Sequence, residues 1–268
     1  MTTTFVSSTQ LLASGNAALN EIGSVPVTVI NPGSATSNSV NVTVVNVSGG
    51  NSGSTAIITG VVNGQTVDKA YIPIIGTQTV AVVNADSTSS SGALIKPISM
   101  PGGYAPNATA ANQAAEVVVV ISYTSPDIQI IDASRDVLLA TVTSPVTQIA
   151  NFSGGSCVIC GVLIDLSTDS AILNTAQGYL LLNLGTQQFS SFIPSTVAGE
   201  NFGYNPNTRI VLNPTYNQGV PDGVQAIALA NSAVFTYGTS VGSFPDAGAV
   251  DINTNIAVVL TNLQGVNT

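Results

Sequence analysis

Three strings in this chain repeat one pattern. Leu163-Ile-Asp165-Leu-Ser-Thr168, Gly203-Tyr-Asn205-Pro-Asn-Thr208 and Ala249-Val-Asp251-Ile-Asn-Thr254 each set Asp or Asn three residues before Thr, and each then runs into apolar residues. The Asp and Asn positions are 40 and 46 residues apart. A second register comes from strand-like runs ending at Asn84, Asp132, Asn183 and Ala228, at intervals of 48, 51 and 45. A unit of this length holds about four short strands, and self-similarity at that period marks the blades of a β-propeller. In each unit the Asp or Asn caps a tight turn and Thr pairs with its backbone, while the apolar runs become strands facing neighbouring blades. Residues 56–268 hold four such blades and part of a fifth. A plain array of β-sandwiches is the competing reading.

The stretch Val117–Leu173 shows the cadence in detail. Val117–Ser122 reads as a buried strand, Ser125-Pro126-Asp127 as a turn, Ile128–Asp132 as an alternating strand and Val137–Val142 as another. An excursion through Gly154-Gly155 leads to the apolar run Val162–Ile164. Upstream, Ala56–Val62 and Asp68–Ile75 flank an Asn63-Gly64 hairpin signal, and Val80–Asn84 is a third strand.

Composition narrows the function. Only 6% of residues are charged, against about a quarter in an ordinary domain, so Ser, Thr, Asn, Gln and Gly must cover the surface. Four Lys and Arg against 13 acidic residues give a net charge of −9, which argues against nucleic acid and anionic lipid as partners. There is no histidine, so neither a Ser-His-Asp nor a Cys-His device can be built from this chain. No apolar run reaches the roughly 20 residues of a membrane helix, so no membrane insertion is expected, and no signal peptide is visible in Met1–Gln10.

Residues 1–47 read as a small β unit, with β-prone stretches at Thr2–Val6, Val25–Ile30 and Val40–Val44 and one short helical turn within Ser14–Ile22. Residues 48–55 are a Gly/Ser/Asn linker and the best domain boundary. The strings Thr2–Leu11, Val25-Pro-Val-Thr-Val-Ile-Asn-Pro-Gly33 and Ser37-Asn-Ser-Val-Asn-Val-Thr-Val44 resemble the second half of an IPT/TIG domain, an immunoglobulin-like family of bacterial surface proteins. The opening strands of that family have no counterpart here, so on this resemblance the N-terminus reads as truncated; the alternative is a complete, reduced β unit. Residues 56–268 resemble propellers of the YVTN/NHL type, which usually have more blades, so the C-terminus also reads as premature. The expected fold is all-β: a partial immunoglobulin-like module followed by a β-propeller-like repeat domain.

Several places could carry chemistry. Cys157-Val-Ile-Cys160 runs straight into a strand rather than opening a helix, which points to a short-loop disulfide or two buried thiols. As a redox pair it lacks the usual setting, and as a zinc site it lacks other Cys or His. Asp251-Ile-Asn253-Thr-Asn255 matches the first half of a calcium loop, and Asp165-Leu-Ser167-Thr-Asp169 is a weaker copy. Turn capping explains both, with calcium left open. Paired carboxylates could cleave glycosidic bonds, with Asp127, Asp132 and Asp165 among the candidates and Glu200, Asp222 and Asp246 preferred. Glu200 beside Phe202 and Tyr204 is the most site-like; a structural blade crossing is the alternative.

The sequence therefore points to a noncatalytic extracellular or cell-surface protein with a structural or adhesive role, with no cofactor expected and calcium left open. Its expected partners are further copies of itself, another surface protein, or a glycan. An uncharged edge in residues 1–47, where Glu21 is the sole charged residue, would let copies add strands into a fibre. The alternatives are a carbohydrate-active propeller enzyme and a propeller that binds a glycan or peptide in an aromatic-lined groove.

Overall fold

The computed structural model describes residues 2–7, 10–14, 23–28, 38, 40–44, 55–62, 64–86, 94–152, 155–195, 202–215, 223–238 and 243–263. Every regular element among the described residues is a strand. Two antiparallel pairs come first: β1 (Thr2–Ser7) with β2 (Gln10–Ser14), and β3 (Gly23–Val27) with β4 (Val40–Val44). The expected strands of this unit are present, and β2 is one the sequence pattern did not reveal. Of the helical turn expected within Ser14–Ile22, Ser14 closes β2 and residues 15–22 lie outside the described residues, as does nearly all of the 48–55 linker.

Four sheets of four antiparallel strands follow in chain order. The first holds β5 (Ala56–Val62), β6 (Gln65–Ile74), β7 (Thr79–Asn84) and β8 (Leu94–Ser99). The second holds β9 (Ala108–Asn112), β10 (Val117–Ile121), β11 (Asp127–Asp132) and β12 (Val137–Thr143). A hairpin of β13 (Ala150–Phe152) and β14 (Gly155–Cys157) leads to the third, β15 (Ile159–Asp165), β16 (Ser170–Thr175), β17 (Gly178–Asn183) and β18 (Gln188–Pro194). The fourth holds β19 (Gly203–Asn205), β20 (Ile210–Thr215), β21 (Gly223–Ala228) and β22 (Ala233–Gly238). The pair β23 (Ser243–Asp251) and β24 (Ile256–Leu263) begins a fifth. Each sheet is an up-and-down meander, the form of a propeller blade. Asn84, Asp132, Asn183 and Ala228 are the last residues of the third strands, so the second sequence register marks one position of the blade.

First strands lie beside first strands: β9 sits against β5 and β15, and β23 against β19. Second and third strands are sandwiched between blades. Val118 and Val120 on β10 pack with Tyr71, Val80 and Val82 of the first blade. Val119 and Ile121, on the opposite face, pack with Val158, Val162 and Leu173 on the side of the third. A strand buried on both faces reads as a continuous apolar run, which is why Val117–Ile121 does not alternate. The same cause corrects the reading of Ile128–Asp132 as alternating: all of Ile128–Asp132 is buried. True alternation belongs to the outermost strand, and β12 alternates exposed and half-buried residues along its length. In the first three blades the third and fourth strands also share an irregularity in register, at Val82/Val83, Ile130/Ile131 and Leu181/Leu182. A bulge there raises the twist of the outer edge.

Gly178 opens β17 at φ +139°, and a Cβ built on it would lie 2.2 Å from the Ile193 carbonyl oxygen and 2.7 Å from the Ser195 nitrogen. Only glycine fits both the conformation and the approach of β18. Gly178→Ala is expected to lower unfolding free energy by at least the roughly 1–3 kcal/mol of a strained backbone, read by denaturant titration. Wild-type stability in that variant would contradict the packing described.

Candidate functional site at the turn ends of the blades

One end of the blades carries a recurrent turn. A strand ends on Asp or Asn, and the last residue of the turn takes a left-handed conformation without being glycine. Glu116, Asp136, Asp169, Gln187, Arg209 and Asn255 all have φ between 50° and 57° at this position. The capping is shown by Asp132, whose Oδ1 accepts the Ser134 N–H (2.9 Å) and Ser134 hydroxyl (2.6 Å). Asp165 does the same with Ser167, and its other oxygen accepts the Thr168 hydroxyl at 2.8 Å. Asn205 accepts the Asn207 N–H at 2.9 Å, and Asp251 accepts the Asn253 N–H at 3.0 Å and the Thr254 hydroxyl at 2.7 Å. In blades two, three and four the two turns are then tied together. Ala133, Leu184 and Leu229 donate their N–H groups to the carbonyls of Glu116, Asp169 and Arg209 at 2.8–2.9 Å.

The turns also bridge neighbouring blades. Asn112 donates to Asp169 Oδ1 (2.6 Å) between blades two and three. Arg209 of blade four places Nη2 at 2.9 Å and Nε at 3.1 Å from Oδ2 of the fully buried Asp165 in blade three. Asn205 donates to Asn255 Oδ1 (3.0 Å), and Asn207 to the Ile252 carbonyl (2.7 Å), joining blades four and five. Between blades one and two, buried Lys69 meets Asp136 at 2.7 Å, and the Tyr71 hydroxyl donates to the same carboxylate. Lys69, Tyr71, Asp136 and Arg209 stand in no recurrent sequence pattern that marks them as partners. Lys69 carried a signal nonetheless: it lies two residues from Val67 and from Tyr71, so strand alternation puts it on their buried face.

The other sequence candidates fall as follows. Asp127 accepts the Thr143 hydroxyl at 2.7 Å at the opposite end of β11. Asp132, Asp165, Asp169, Asp251 and Asn255 are turn residues with the partners given above, and the Asn253 backbone caps onto Asp251. No group of three Asp, Glu, Cys or His converges among the described residues. Glu200 and Asp222 lie outside the described residues; Asp246 falls in β23 at the register shift between Pro245 and Ala247. Cys157 and Cys160 are joined as a disulfide and are fully buried, beside Tyr123 and Ala150.

The first strands line an open groove of about 390 Å³. Its walls are Thr55–Ile57 of blade one, Thr109–Ala111 of blade two, and Val162–Ile164 with Leu166 of blade three. None of these described residues is aromatic or ionisable. Ile57 and Leu166 are 60% and 62% exposed, so the surface offers contact rather than proton transfer.

No family model and no curated protein matches the chain. Among solved structures, Kuenenia stuttgartiensis hydrazine synthase superposes with a TM-score of 0.59 at 12% identity, over 80% of this chain and 57% of that one. The dihydro-heme d1 dehydrogenase NirN in complex with DHE superposes with a TM-score of 0.50 at 14% identity, over 67% of this chain and 36% of that one. This chain therefore spans less than two thirds of either protein. At such identities the likeness speaks to fold, and it agrees with the blades: the chain is an all-β protein of β-propeller type.

The electrostatics of the turns predict a pH response. Burial pushes the Asp165 carboxyl up, but Ser167, Thr168, the neighbouring Tyr204 hydroxyl and Arg209 together outweigh it and hold the carboxyl below its ordinary range. The Tyr204 hydroxyl acts here as a nearby dipole, since it is buried without a partner in hydrogen-bonding geometry. Asp132 is lowered as well, chiefly by the Ser134 hydroxyl. A folded-state pKa below the unfolded one gives stability that is complete above the unfolded value, about 3.9 for Asp, and is lost as pH falls through the folded value. Melting temperature is expected to drop steeply only below about pH 4, with a shallower drop in Asp165→Asn. An acid profile identical in wild type and variant would contradict the assignment.

Proposed function

We propose that this chain is a noncatalytic structural or adhesion protein of the cell exterior. The observation that carries the reading is where the charges go. All four Lys and Arg side chains are committed within or between blades: Lys69 to Asp136, Arg135 to Asp132, Arg209 to Asp165, and Lys96 to the Arg135 carbonyl. The groove along the first strands meanwhile offers no acid or base among its described residues. A buried disulfide supports an oxidising compartment, where such bonds persist. On this reading the propeller is of the YVTN/NHL-like kind and residues 1–47 are an IPT/TIG-like module. Strand addition at β1–β4 joins copies or another surface protein, with a glycan as a further ligand and calcium left open as a ligand of the acidic turns.

Two measurements test this. The purified protein is expected to form regular filaments or a defined oligomer by electron microscopy and light scattering; a monodisperse monomer would remove the assembly role. It is also expected to release no product from a panel of chromogenic glycosides. Turnover that disappears in Glu200→Gln, Asp222→Asn or Asp246→Asn would replace this function with a carbohydrate-active one.

A further inference from the structure

Lys69 is set apart from the other cations by burial. Its side chain is 1% exposed and that of its partner Asp136 is 12% exposed. Three features hold it in place. Strand β6 directs Lys69 and Tyr71 to the same face, toward the second blade, with Nζ 5.7 Å from the Tyr71 ring centre. Gly60 on the paired strand leaves room for the stem: a Cβ there would lie 2.5 Å from Lys69 Cε. The turn from β11 to β12 presents Asp136 in the left-handed conformation, φ 54°, with its carboxylate 2.7 Å from Nζ. Around this pair, the Tyr71 hydroxyl donates to Asp136 Oδ1, and the Ala133 carbonyl accepts from Lys69 Nζ.

We propose that Lys69 and Asp136 condense into an intramolecular amide that ties the first blade covalently to the second. In the condensing step one ammonium proton passes to Asp136 Oδ2, which leaves a neutral amine facing a carboxylic acid. The Nζ lone pair attacks Asp136 Cγ, and the Tyr71 hydroxyl donates to Oδ1, the oxygen that gains negative charge, as an oxyanion donor does, while the protonated Oδ2 is the oxygen that leaves. The Ala133 carbonyl holds an Nζ hydrogen and orients the amine. The Cγ–N bond forms, the Cγ–OH bond breaks, and the hydroxyl departs with an Nζ hydrogen as water. Atoms and charge balance without an oxidant or cofactor: an ammonium and a carboxylate become one amide and one water. Condensation is unfavourable for dilute partners in water, but oriented groups reach effective molarities of about 10⁵–10⁸ M. The product would act like a disulfide that reductants cannot open.

The test is the intact mass of the full-length wild-type protein. The expected mass is one water below that of the sequence with its disulfide formed. A peptic digest should yield a branched peptide joining the segments around Lys69 and Asp136. Asp136→Asn offers a carboxamide in place of the acid, so it should lose ammonia instead of water. Lys69→Met keeps an unbranched stem of similar length and should lose nothing. A wild-type mass equal to the unmodified value after days at about 37 °C overturns the proposal, and that reading needs no variant to fold. A water loss that persists in Lys69→Met overturns it equally.

Discussion

The fold depends on face-to-face contact between successive sheets. A blade of four strands has two broad faces, and a second or third strand between two blades must be apolar on both. Strand β10 meets this demand with Val118, Val119, Val120 and Ile121, all fully buried. At about 25 cal/mol per Å² of apolar surface removed from water, each such side chain contributes roughly 1.5–3 kcal/mol before the cost of ordering it. Outer strands face a neighbour on one side only, so β12 and β18 mix exposed with part-buried residues.

Apolar packing alone does not set how one blade is turned against the next. That register comes from polar contacts of defined length at the turn ends: Asn112 to Asp169, Arg209 to Asp165, Asn205 to Asn255. Each uses a residue that also caps or closes a turn, so local conformation and blade orientation are coupled. A buried ion pair adds little net stability, because desolvation offsets most of the attraction, yet removing one partner strands the other. The Lys69–Asp136 and Arg209–Asp165 pairs, which join neighbouring blades, therefore act as positioning devices.

Much of the fold was legible in the sequence because blade geometry writes itself locally. The Asp or Asn that ends a strand and the Thr three residues on are turn chemistry, and Asp165, Asn205 and Asp251 occupy the equivalent turn in three successive sheets. The runs ending at Asn84, Asp132, Asn183 and Ala228 were visible because inner strands are continuously apolar. Strands β8 and β9 were missed: Leu94–Ser99 contains Lys and Pro, and Ala108–Asn112 is mostly Ala. What local pattern could not convey was partnership across blades. Nothing near Asp165 in sequence names Arg209, which arrives 44 residues later. The carboxylates Glu200 and Asp222 fall outside the described residues, so the enzyme alternative rests on their chemistry alone.

The most direct test of the account is a double-mutant cycle across blades three and four. Unfolding free energies would be measured for wild type, Asp165→Ala, Arg209→Ala and the double variant. If the ion pair orients neighbouring blades, each single change is costly, about 3–5 kcal/mol for stranding a buried charge, and the double change costs much less than the sum. Strictly additive losses would show that the two residues act independently, and would contradict the view that the Arg209–Asp165 pair holds neighbouring blades in register.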